Sequence, residues 1–271
     1  MPELPEVETV RTGLLPILQH KTIKQVRLIE TRLRWPIDLS LPDTLTGQTF
    51  TNISRRGKYI LFHLTRGTLI GHLGMSGSFR VAVATAPLKK HDHVCVCLGQ
   101  GQQLRYHDPR RFGSLHWCSS DPLSHRLLAH LGPEPLSDDF TPSVLYHALQ
   151  KSKRPVKSCL MDHHLVVGVG NIYATEALFK TRVHPNRPAN LISMLEAKRL
   201  HQHIQALLRH AISLGGTTLK DFVNANAKPG YFQQTLLAYG REKQPCTQCK
   251  HPLSAMIIGQ RKSVFCQQCQ I

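Results

Sequence analysis

The chain has 271 residues and a formal net charge of +17, from 34 Lys and Arg residues against 17 Asp and Glu residues. Such a positive excess, in a chain that is 41% hydrophobic, predicts a polyanionic partner, and the length allows a substantial core and two domains. No apolar run reaches the length of about 18 residues that a membrane helix needs, and no leader-like segment opens the sequence, so we expect a cytosolic protein rather than a membrane protein.

The amino terminus reads Met1-Pro2-Glu3-Leu4-Pro5-Glu6. Removal of Met1 would leave Pro2 with a secondary amine, and an α-amino group titrates near pH ~8, so part of it is neutral and nucleophilic. Attack on an aldehyde-level carbon would give a cationic iminium, and the carboxylates of Glu3 and Glu6 are near enough to transfer protons. The alternative is a Pro-rich helix start with an acidic first turn, which is common.

The first half of the chain predicts one helix followed by strands. Apolar residues recur at helical spacing over residues 6–19, where Gly13 and Pro16 should weaken or kink the second half. From residue 21 to about 119 short β-rich runs alternate with turns, and Gly99-Gln100-Gly101 predicts a hairpin. This half therefore predicts an antiparallel sandwich with a leading helix. The predicted strands cover residues 23–29, 58–64, 68–73, 94–98 and 104–106.

The second half predicts helices over residues 143–153, 155–161, 171–181 and 193–214. Gly168 and Gly170 lead into the third of these helices, and we expect Asn171 at its N-cap, where backbone N–H groups attract anions. Two helices joined by this double turn would form a backbone clamp, although a glycine turn before a helix is usually only a connection. His91-Asp92-His93 alternates on a strand without a third ligand, which favours a structural role over a metal site.

Eight cysteines fall into two groups. Two CxxC pairs with sixteen residues between them predict one structural, tetrahedral zinc ion held by Cys246, Cys249, Cys266 and Cys269. The basic segment that contains Arg261 lies between the pairs, at the expected tip of a hairpin, where it could grip phosphates. The remaining cysteines are expected to be buried free thiols. They are Cys95, Cys97, Cys118 and Cys159.

Several motifs together resemble the bacterial formamidopyrimidine-DNA glycosylase (8-oxoguanine DNA glycosylase) family. They are residues 2–9, 72–77, 108–113, 168–171 and 215–222 and the four-cysteine segment, and they follow the family order. The resemblance implies an α+β multidomain fold, with DNA in the cleft between its lobes. An amino-terminal antiparallel β-sandwich with a leading helix (1–132) would precede a helix–two-turns–helix domain (133–235) and a zinc finger (236–271).

The resemblance also implies residue roles. Pro2 is similar to the nucleophile that attacks C1′, Glu3 to the acid that protonates the sugar ring oxygen, and Glu6 to the carboxylate that holds the active site in shape. The phosphate beside the lesion would be gripped by Lys58, Asn171 and Arg261. The stack vacated by the everted base would be filled by Met75, Arg110 and Phe112. Residues 217–231 resemble a loop that closes over the purine and includes Lys220, and His72 is a further candidate for phosphate binding.

The implied function is a bifunctional glycosylase and abasic-site lyase. It would excise oxidised purines from duplex DNA and cleave the strand by β,δ-elimination. The enzyme would be a monomer with one structural zinc ion, associated with the nucleoid by binding DNA. One alternative is a relative of endonuclease VIII that acts on oxidised pyrimidines, although Leu4 in place of glycine argues against it. The other is a non-catalytic, zinc-dependent DNA-binding protein, for which the charge and the finger would suffice.

Overall fold

The computed structural model describes residues 1–216 and 235–271. These residues form two compact units. One contains Met1–Ala129 and residues 214–216, and the other contains His130–Ser213 and residues 235–271. Within the described residues no helix is long and apolar enough to cross a membrane. The division into three domains at residues 132 and 235 remains a prediction.

The first unit opens with helix α1 (Leu4–Leu18), close to the predicted 6–19. Its N-cap is Glu3, and Pro5 lies in the first turn, where a missing amide hydrogen costs no helical bond. The helix continues through Gly13 and Pro16 to Leu18, so neither residue ends it, although Pro16 has no N–H for a helical bond. Its buried face consists mainly of Leu4, Val7, Val10, Leu14 and Leu18.

Two four-stranded antiparallel sheets follow this helix. The strands are β1 (Ile23–Leu28), β2 (Phe50–Arg56), β3 (Tyr59–Leu64), β4 (Gly67–His72), β5 (Ser78–Val83), β6 (Asp92–Leu98), β7 (Gln102–His107) and β8 (Ser114–Cys118). One sheet has the order β1-β6-β7-β5 and the other β2-β3-β4-β8. A single hydrophobic cluster draws residues from α1 and from both sheets, among them Val10, Phe62 and Leu104. The predicted sandwich with a leading helix is therefore confirmed.

Two details of this unit differ from the expectations. A short helix α2 (Leu41–Leu45) interrupts the predicted run of strands, with Pro42 in its first turn. Cys95, Cys118 and, in the other unit, Cys159 are buried, but Cys97 is only partly buried. Cys97 breaks the otherwise continuous burial of β6 near the end of the strand, so the prediction of four buried thiols was wrong at this position.

The second unit contains four helices and a hairpin among its described residues. They are α3 (Pro142–Gln150), α4 (Val156–Leu160), α5 (Asn171–Thr181), α6 (Met194–Ser213), β9 (Ser254–Ile258) and β10 (Arg261–Phe265). Helix α6 lies within the predicted 193–214. It buries Leu200, Ile204 and Leu208, and it packs against α3 and α5. Helix α5 covers the predicted residues and ends at Arg182, whose φ is 62°.

The hairpin β9–β10 carries the basic segment of the zinc finger. Arg261 pairs with Ile258, so Gly259 and Gln260 form the two-residue turn. Both turn residues have positive φ, 52° and 61°, which is the geometry that fits the twist of a tight hairpin. Arg261 is therefore the first residue of β10, directly after the tip at which the sequence places the basic group.

Candidate active site and zinc centre

The start of α1 fixes two carboxylates. Glu6 Oε2 accepts a hydrogen bond of 2.8 Å from the backbone N–H of Glu3, and the two residues form a capping box. Glu3 is 2% exposed and Glu6 is fully buried. The local sequence thus contributes to holding both acids beside the chain terminus.

The amino terminus itself lies among four of the predicted site residues. Burial lowers the pKa of the Met1 amino group, the carboxylates of Glu3 and Glu6 oppose this shift, and the positive charges of Lys58 and Arg110 add to it. A lowered pKa leaves a larger neutral, nucleophilic fraction of an amine at neutral pH. Pro2 is buried immediately behind this group, with its nitrogen in the peptide bond to Met1.

A chain of ion pairs connects α1 to the turn that carries Lys58. Glu8 accepts from Arg11 at 2.6 Å and from Arg55 at 3.0 Å, and Arg55 also donates to the carbonyl of Gly57 at 2.9 Å. Burial raises the pKa of Glu8, but the hydrogen bonds and charges of the two arginines outweigh it and lower the pKa overall. Glu8 therefore helps to position the β2–β3 turn relative to the amino terminus.

Gly216, the last residue of the first described segment, lies beside Glu6. Its φ is +79°, and a Cβ added there would lie 3.1 Å from Glu6 Oε1. The chain thus enters residues 217–234 from beside Glu6. The predicted loop over 217–231 and its Lys220 lie outside the described residues.

His72 lies at the end of β4 beside Tyr59, with ring centroids 4.8 Å apart. Its Nδ1 accepts from the backbone N–H of Gly74 at 3.1 Å. Burial first, and then the charge of Lys58, lower the pKa of His72 to about 4. The imidazole is consequently neutral at physiological pH, so it has an Nε2–H donor to offer a phosphate but no charge.

Two loops that carry the remaining candidates of this unit are packed against each other. Gly74 has a φ of +60°, and a Cβ there would lie 2.4 Å from both Phe112 C and Gly113 N. The buried carboxylate of Asp108 accepts from Ser76 Oγ at 2.7 Å and from the Gly113 N–H at 2.8 Å. Asp108 therefore connects the loop after β4 to the loop before β8.

These loops bring together Met75, Arg110 and Phe112. Phe112 is 40% exposed, and the Arg110 guanidinium lies 5.2 Å from its ring centroid. The backbone N–H of Arg110 is bonded to Ser76 Oγ at 3.1 Å. The ring of Phe112 and the guanidinium of Arg110 are thus presented together on a loop that is bonded to the neighbouring one. Asp108, which is bonded to both loops, was not among the predicted site residues, although it begins the DPRRFG motif.

In the second unit a buried lysine is hydrogen-bonded to the side chain of Asn171 and holds it in position. Lys157 is 1% exposed, and its Nζ donates to Asn171 Oδ1 at 2.6 Å and to Ser263 Oγ at 2.7 Å. Asn171 Nδ2 donates in turn to the carbonyl of Lys262 at 3.3 Å. This network connects the turn before α5 to the hairpin β9–β10.

The prediction that Asn171 is an N-cap was wrong. Gly170 is the N-cap and Asn171 the first residue of α5, because both polar atoms of its side chain are bonded to Lys157 and to the hairpin. Sequence reasoning also missed Lys157, since nothing in a sequence distinguishes a buried lysine from a surface one. The predicted Arg261 is exposed on the same hairpin.

Four sulfur atoms form the predicted metal site. The Sγ atoms of Cys246, Cys249, Cys266 and Cys269 all lie within 4.8 Å of one another. Burial raises the pKa of Cys246, but backbone N–H groups of Cys249 and Gln248 outweigh it and lower the pKa to about 7. Burial and the neighbouring thiols raise the pKa of Cys269 to about 12. Four sulfur atoms this close can surround one cation that displaces their protons, and the all-sulfur donor set fits a structural, tetrahedral zinc ion.

The buried acid of the His91-Asp92-His93 segment has a structural role, as expected. Asp92 is bonded to Arg80 at 2.5 Å and to His107 Nδ1 at 3.0 Å. His93 Nε2 is bonded to the Asp108 carbonyl at 2.7 Å. The side chains of Asp92 and His93 are therefore bonded to other groups of the first unit.

Comparison with known proteins identifies the family. Models of the formamidopyrimidine-DNA glycosylase N-terminal domain and H2TH domain match residues 1–115 and 131–223, and the model of a zinc finger found in FPG and IleRS matches residues 243–271. The formamidopyrimidine-DNA glycosylase of Acinetobacter baylyi is 52% identical over 100% of this chain and 98% of its own length. That of Hahella chejuensis is 50% identical over the whole of both chains. The chain belongs to the formamidopyrimidine-DNA glycosylase family.

Solved structures of the family have the same fold. The MutM (Fpg) protein of Thermus thermophilus is 38% identical with a TM-score of 0.90, over 99% of this chain and 98% of that one. The Lactococcus lactis Fpg in complex with abasic-site DNA is 35% identical with a TM-score of 0.92, over 99% of both chains. Membership confirms the fold class, the single structural zinc and a DNA glycosylase of base excision repair, an enzyme class for which lyase activity is a family feature. It sets aside the non-catalytic alternative.

Proposed function

We propose that this chain excises oxidised purines, 8-oxoguanine and formamidopyrimidines, from duplex DNA and then cleaves the strand at the resulting abasic site. The Lactococcus lactis relative has been solved with DNA that contains an abasic site and with DNA that contains Fapy-dG. The observation that carries the proposal is the environment of the amino terminus. The Met1 amino group, one residue before the buried Pro2, lies within the field of Glu3, Glu6, Lys58 and Arg110.

The reaction begins after removal of Met1. The Pro2 nitrogen attacks C1′ of the damaged nucleotide, the bond from C1′ to the base breaks, and the base leaves with a proton. Glu3 protonates the sugar ring oxygen, so the ring opens and an iminium joins Pro2 to the sugar. The positive iminium acidifies C2′, and loss of that proton expels the 3′ phosphate. Loss of a proton from C4′ then expels the 5′ phosphate from the sugar remnant, and water hydrolyses the iminium, which releases the remnant as an unsaturated aldehyde and frees Pro2.

The other predicted residues supply position rather than chemistry. Glu6 is held by the Glu3 backbone, which suits a carboxylate that maintains the active site. Lys58 extends from a turn that Arg55 bonds to α1 through Glu8, which suits a contact with the phosphate beside the lesion. Asn171 and Arg261 of the second unit complete this proposed phosphate grip, to which His72 can add one neutral donor.

Chemistry at C1′ of a duplex requires eversion of the base, at a cost of a few kcal/mol. The neighbouring loops offer groups for the vacated space: Met75 and Phe112 as apolar surface, and Arg110 with several donors for the unpaired cytosine. The proposed role is supported by the exposure of Phe112 and by the anchoring of both loops on Asp108. Lys220 remains a candidate contact to the everted base.

Borohydride trapping tests the nucleophile. We expect the mature chain to form a covalent complex with duplex DNA containing 8-oxoguanine when borohydride is added, because hydride reduces the iminium. No complex should form when Met1 is retained or in Pro2→Gly, whereas Pro5→Ala, a matched change in the same helical turn, should still be trapped. Trapping by protein whose first amino group is acylated would refute the assignment.

A parallel substrate test decides the lesion class. We expect faster excision of 8-oxoguanine than of thymine glycol from otherwise identical duplexes, and the reverse order would favour the oxidised-pyrimidine alternative. We further infer that the enzyme acts as a monomer in the cytoplasm, at the nucleoid, because its charge of +17 favours DNA. Sedimentation of the free protein tests the first point.

A further inference from the structure

Three histidines of the second unit form a cluster on its surface. They are His130, His163 and His164, all exposed. Their ligating nitrogens all lie within 4.8 Å of one another. Ring centroids are 5.2 Å apart for His130 and His163, 5.1 Å for His130 and His164, and 4.5 Å for His163 and His164. None of these residues belongs to the proposed active site or to the zinc finger.

The backbone beneath the cluster is held at several points. The N–H of Gly132 donates to the His163 carbonyl at 2.8 Å. A Cβ on Gly132 would lie 2.4 Å from the His164 carbonyl oxygen, so the absence of a side chain allows the two segments this close approach. Asp162 Oδ1 accepts from the His164 N–H at 3.0 Å. The framework therefore brings His130 to the other two histidines without help from any ligand.

One ring is also oriented for coordination. His164 Nδ1 lies 3.0 Å from the His130 carbonyl oxygen, and since a carbonyl only accepts, Nδ1 carries the proton. The lone pair is then on Nε2, the arrangement that a backbone carbonyl commonly imposes on metal-binding histidines.

We propose that His130, His163 and His164 bind one divalent transition-metal ion of the zinc and copper class, separate from the zinc of the finger. Imidazole nitrogens suit Zn²⁺, Cu²⁺ and Ni²⁺. Zinc binds imidazole nitrogen at about 2.0–2.1 Å, which puts two ligands of a tetrahedral ion about 3.3 Å apart. Small rotations of three exposed side chains bring the nitrogens from their present spacing to that distance. Three imidazoles leave one position for water, and the ion would cross-link the start of the second unit to the segment after α4.

The test is a zinc titration of the full chain whose finger is already loaded with one ion. Calorimetry should detect one further equivalent of Zn²⁺ per chain, and elemental analysis after gel filtration should give two ions. The variant His130→Asn/His163→Asn/His164→Asn should keep one ion. Each single variant should bind the second ion at least about tenfold more weakly, since even outer-shell partners of a metal ligand are worth this much.

A matched control replaces two exposed histidines elsewhere, His20→Asn/His147→Asn, and should still bind two ions. Circular dichroism of the triple variant, together with its retained finger zinc, checks that the fold is intact. A total of only one ion in the native chain, with no further equivalent taken up in the titration, would overturn the proposal. Equal affinity of the native chain and the triple variant for the second ion would overturn it as well, because the ion would then lie elsewhere.

Discussion

Carboxylates, the partly buried Glu8 and the buried Asp108, position candidate residues of the first unit, whereas a buried ammonium group and a metal site position those of the second. Glu8 holds Arg55 at the turn of Lys58, and Asp108 holds the loops of Met75 and Arg110. In the second unit, Lys157 donates to the neutral acceptors Asn171 Oδ1 and Ser263 Oγ. The hairpin with Arg261 leads into the cysteines of the zinc site.

This difference has an energetic consequence. A buried carboxylate keeps its contacts only while it is ionised or well bonded, and a metal-stapled hairpin keeps its fold only while the metal is bound. Removal of zinc should therefore disrupt the second unit selectively, and changes to buried acids should loosen the first. The first three of the following experiments test this difference, and the last concerns the second unit alone.

Removal of zinc should have the largest effect. Structural zinc in finger peptides contributes about 10 kcal/mol or more of apparent free energy at pH 7, so a strong chelator or Cys249→Ser should unfold the hairpin β9–β10. Hydrogen exchange should then show loss of protection in residues 254–265, while the strands of the two four-stranded sheets keep theirs. Cys97→Ser is the matched control and should leave the hairpin protected. Simultaneous loss of protection in both units would contradict the distinction.

Asp108→Asn should have the next largest effect and should act on the first unit. The amide offers one acceptor where the carboxylate offers two, so at least one buried donor among Ser76 Oγ and the N–H groups of Arg110 and Gly113 loses its partner. We expect a loss of about 1–3 kcal/mol in the free energy of unfolding. The single-turnover excision rate should fall as well, because the loops of Met75 and Phe112 loosen. Urea unfolding measures the free energy of unfolding. The control Asp43→Asn, at an exposed position, should change neither this free energy nor the excision rate.

Glu8→Gln should have a smaller, pH-dependent effect. The pKa of Glu8 is lowered in the folded chain, so its stabilising contribution is present above the pKa of the unfolded chain and is lost as the pH falls through the folded value. Since Glu8 and its arginine partners are partly exposed, the free energy of unfolding of the native chain at pH 7 should exceed that of the variant by about 1 kcal/mol or less. Urea unfolding from pH 7 down to about pH 3, below the pKa of the unfolded chain, should show the two chains converging. A constant difference would mean that the charge of Glu8 is not its source.

Local patterns predicted much of the fold. Asn171–Thr181 was predicted to the residue, and the two glycines before it are a short-range signal. The zinc site was predictable from the spacing of its cysteines, and the sandwich from alternation and turns. Helix α2 was missed because five residues are too few to show a helical period.

Long-range partners explain what the sequence did not predict. Lys157 and Ser263 are 106 residues apart, and Ser76 and Asp108 are 32 apart. Which polar groups meet across such distances depends on packing that no local pattern encodes. The same cause accounts for Asn171: its type and position predicted an N-cap, but Lys157 and the Lys262 carbonyl occupy its side chain.

The smallest expected effect concerns how the second unit contacts phosphate. Arg261 and Lys262 are adjacent and exposed, but Lys262 forms a salt bridge with Glu242, whereas within residues 1–216 and 235–271 no ion pair occupies the Arg261 guanidinium. A cation that neutralises one phosphate contributes about 0.9 to the slope of log K against log salt concentration. Arg261→Ala should therefore reduce the slope of duplex binding by about one ion.

Lys262→Ala should reduce the slope less, because Glu242 already balances part of its charge. Asn171→Ala should weaken binding without changing the slope, since an amide releases no counterion. Fluorescence anisotropy at several salt concentrations measures all three variants on one duplex. If Arg261→Ala and Asn171→Ala share the native slope, Arg261 contacts no phosphate, and the grip of the second unit consists of neutral donors held by Lys157.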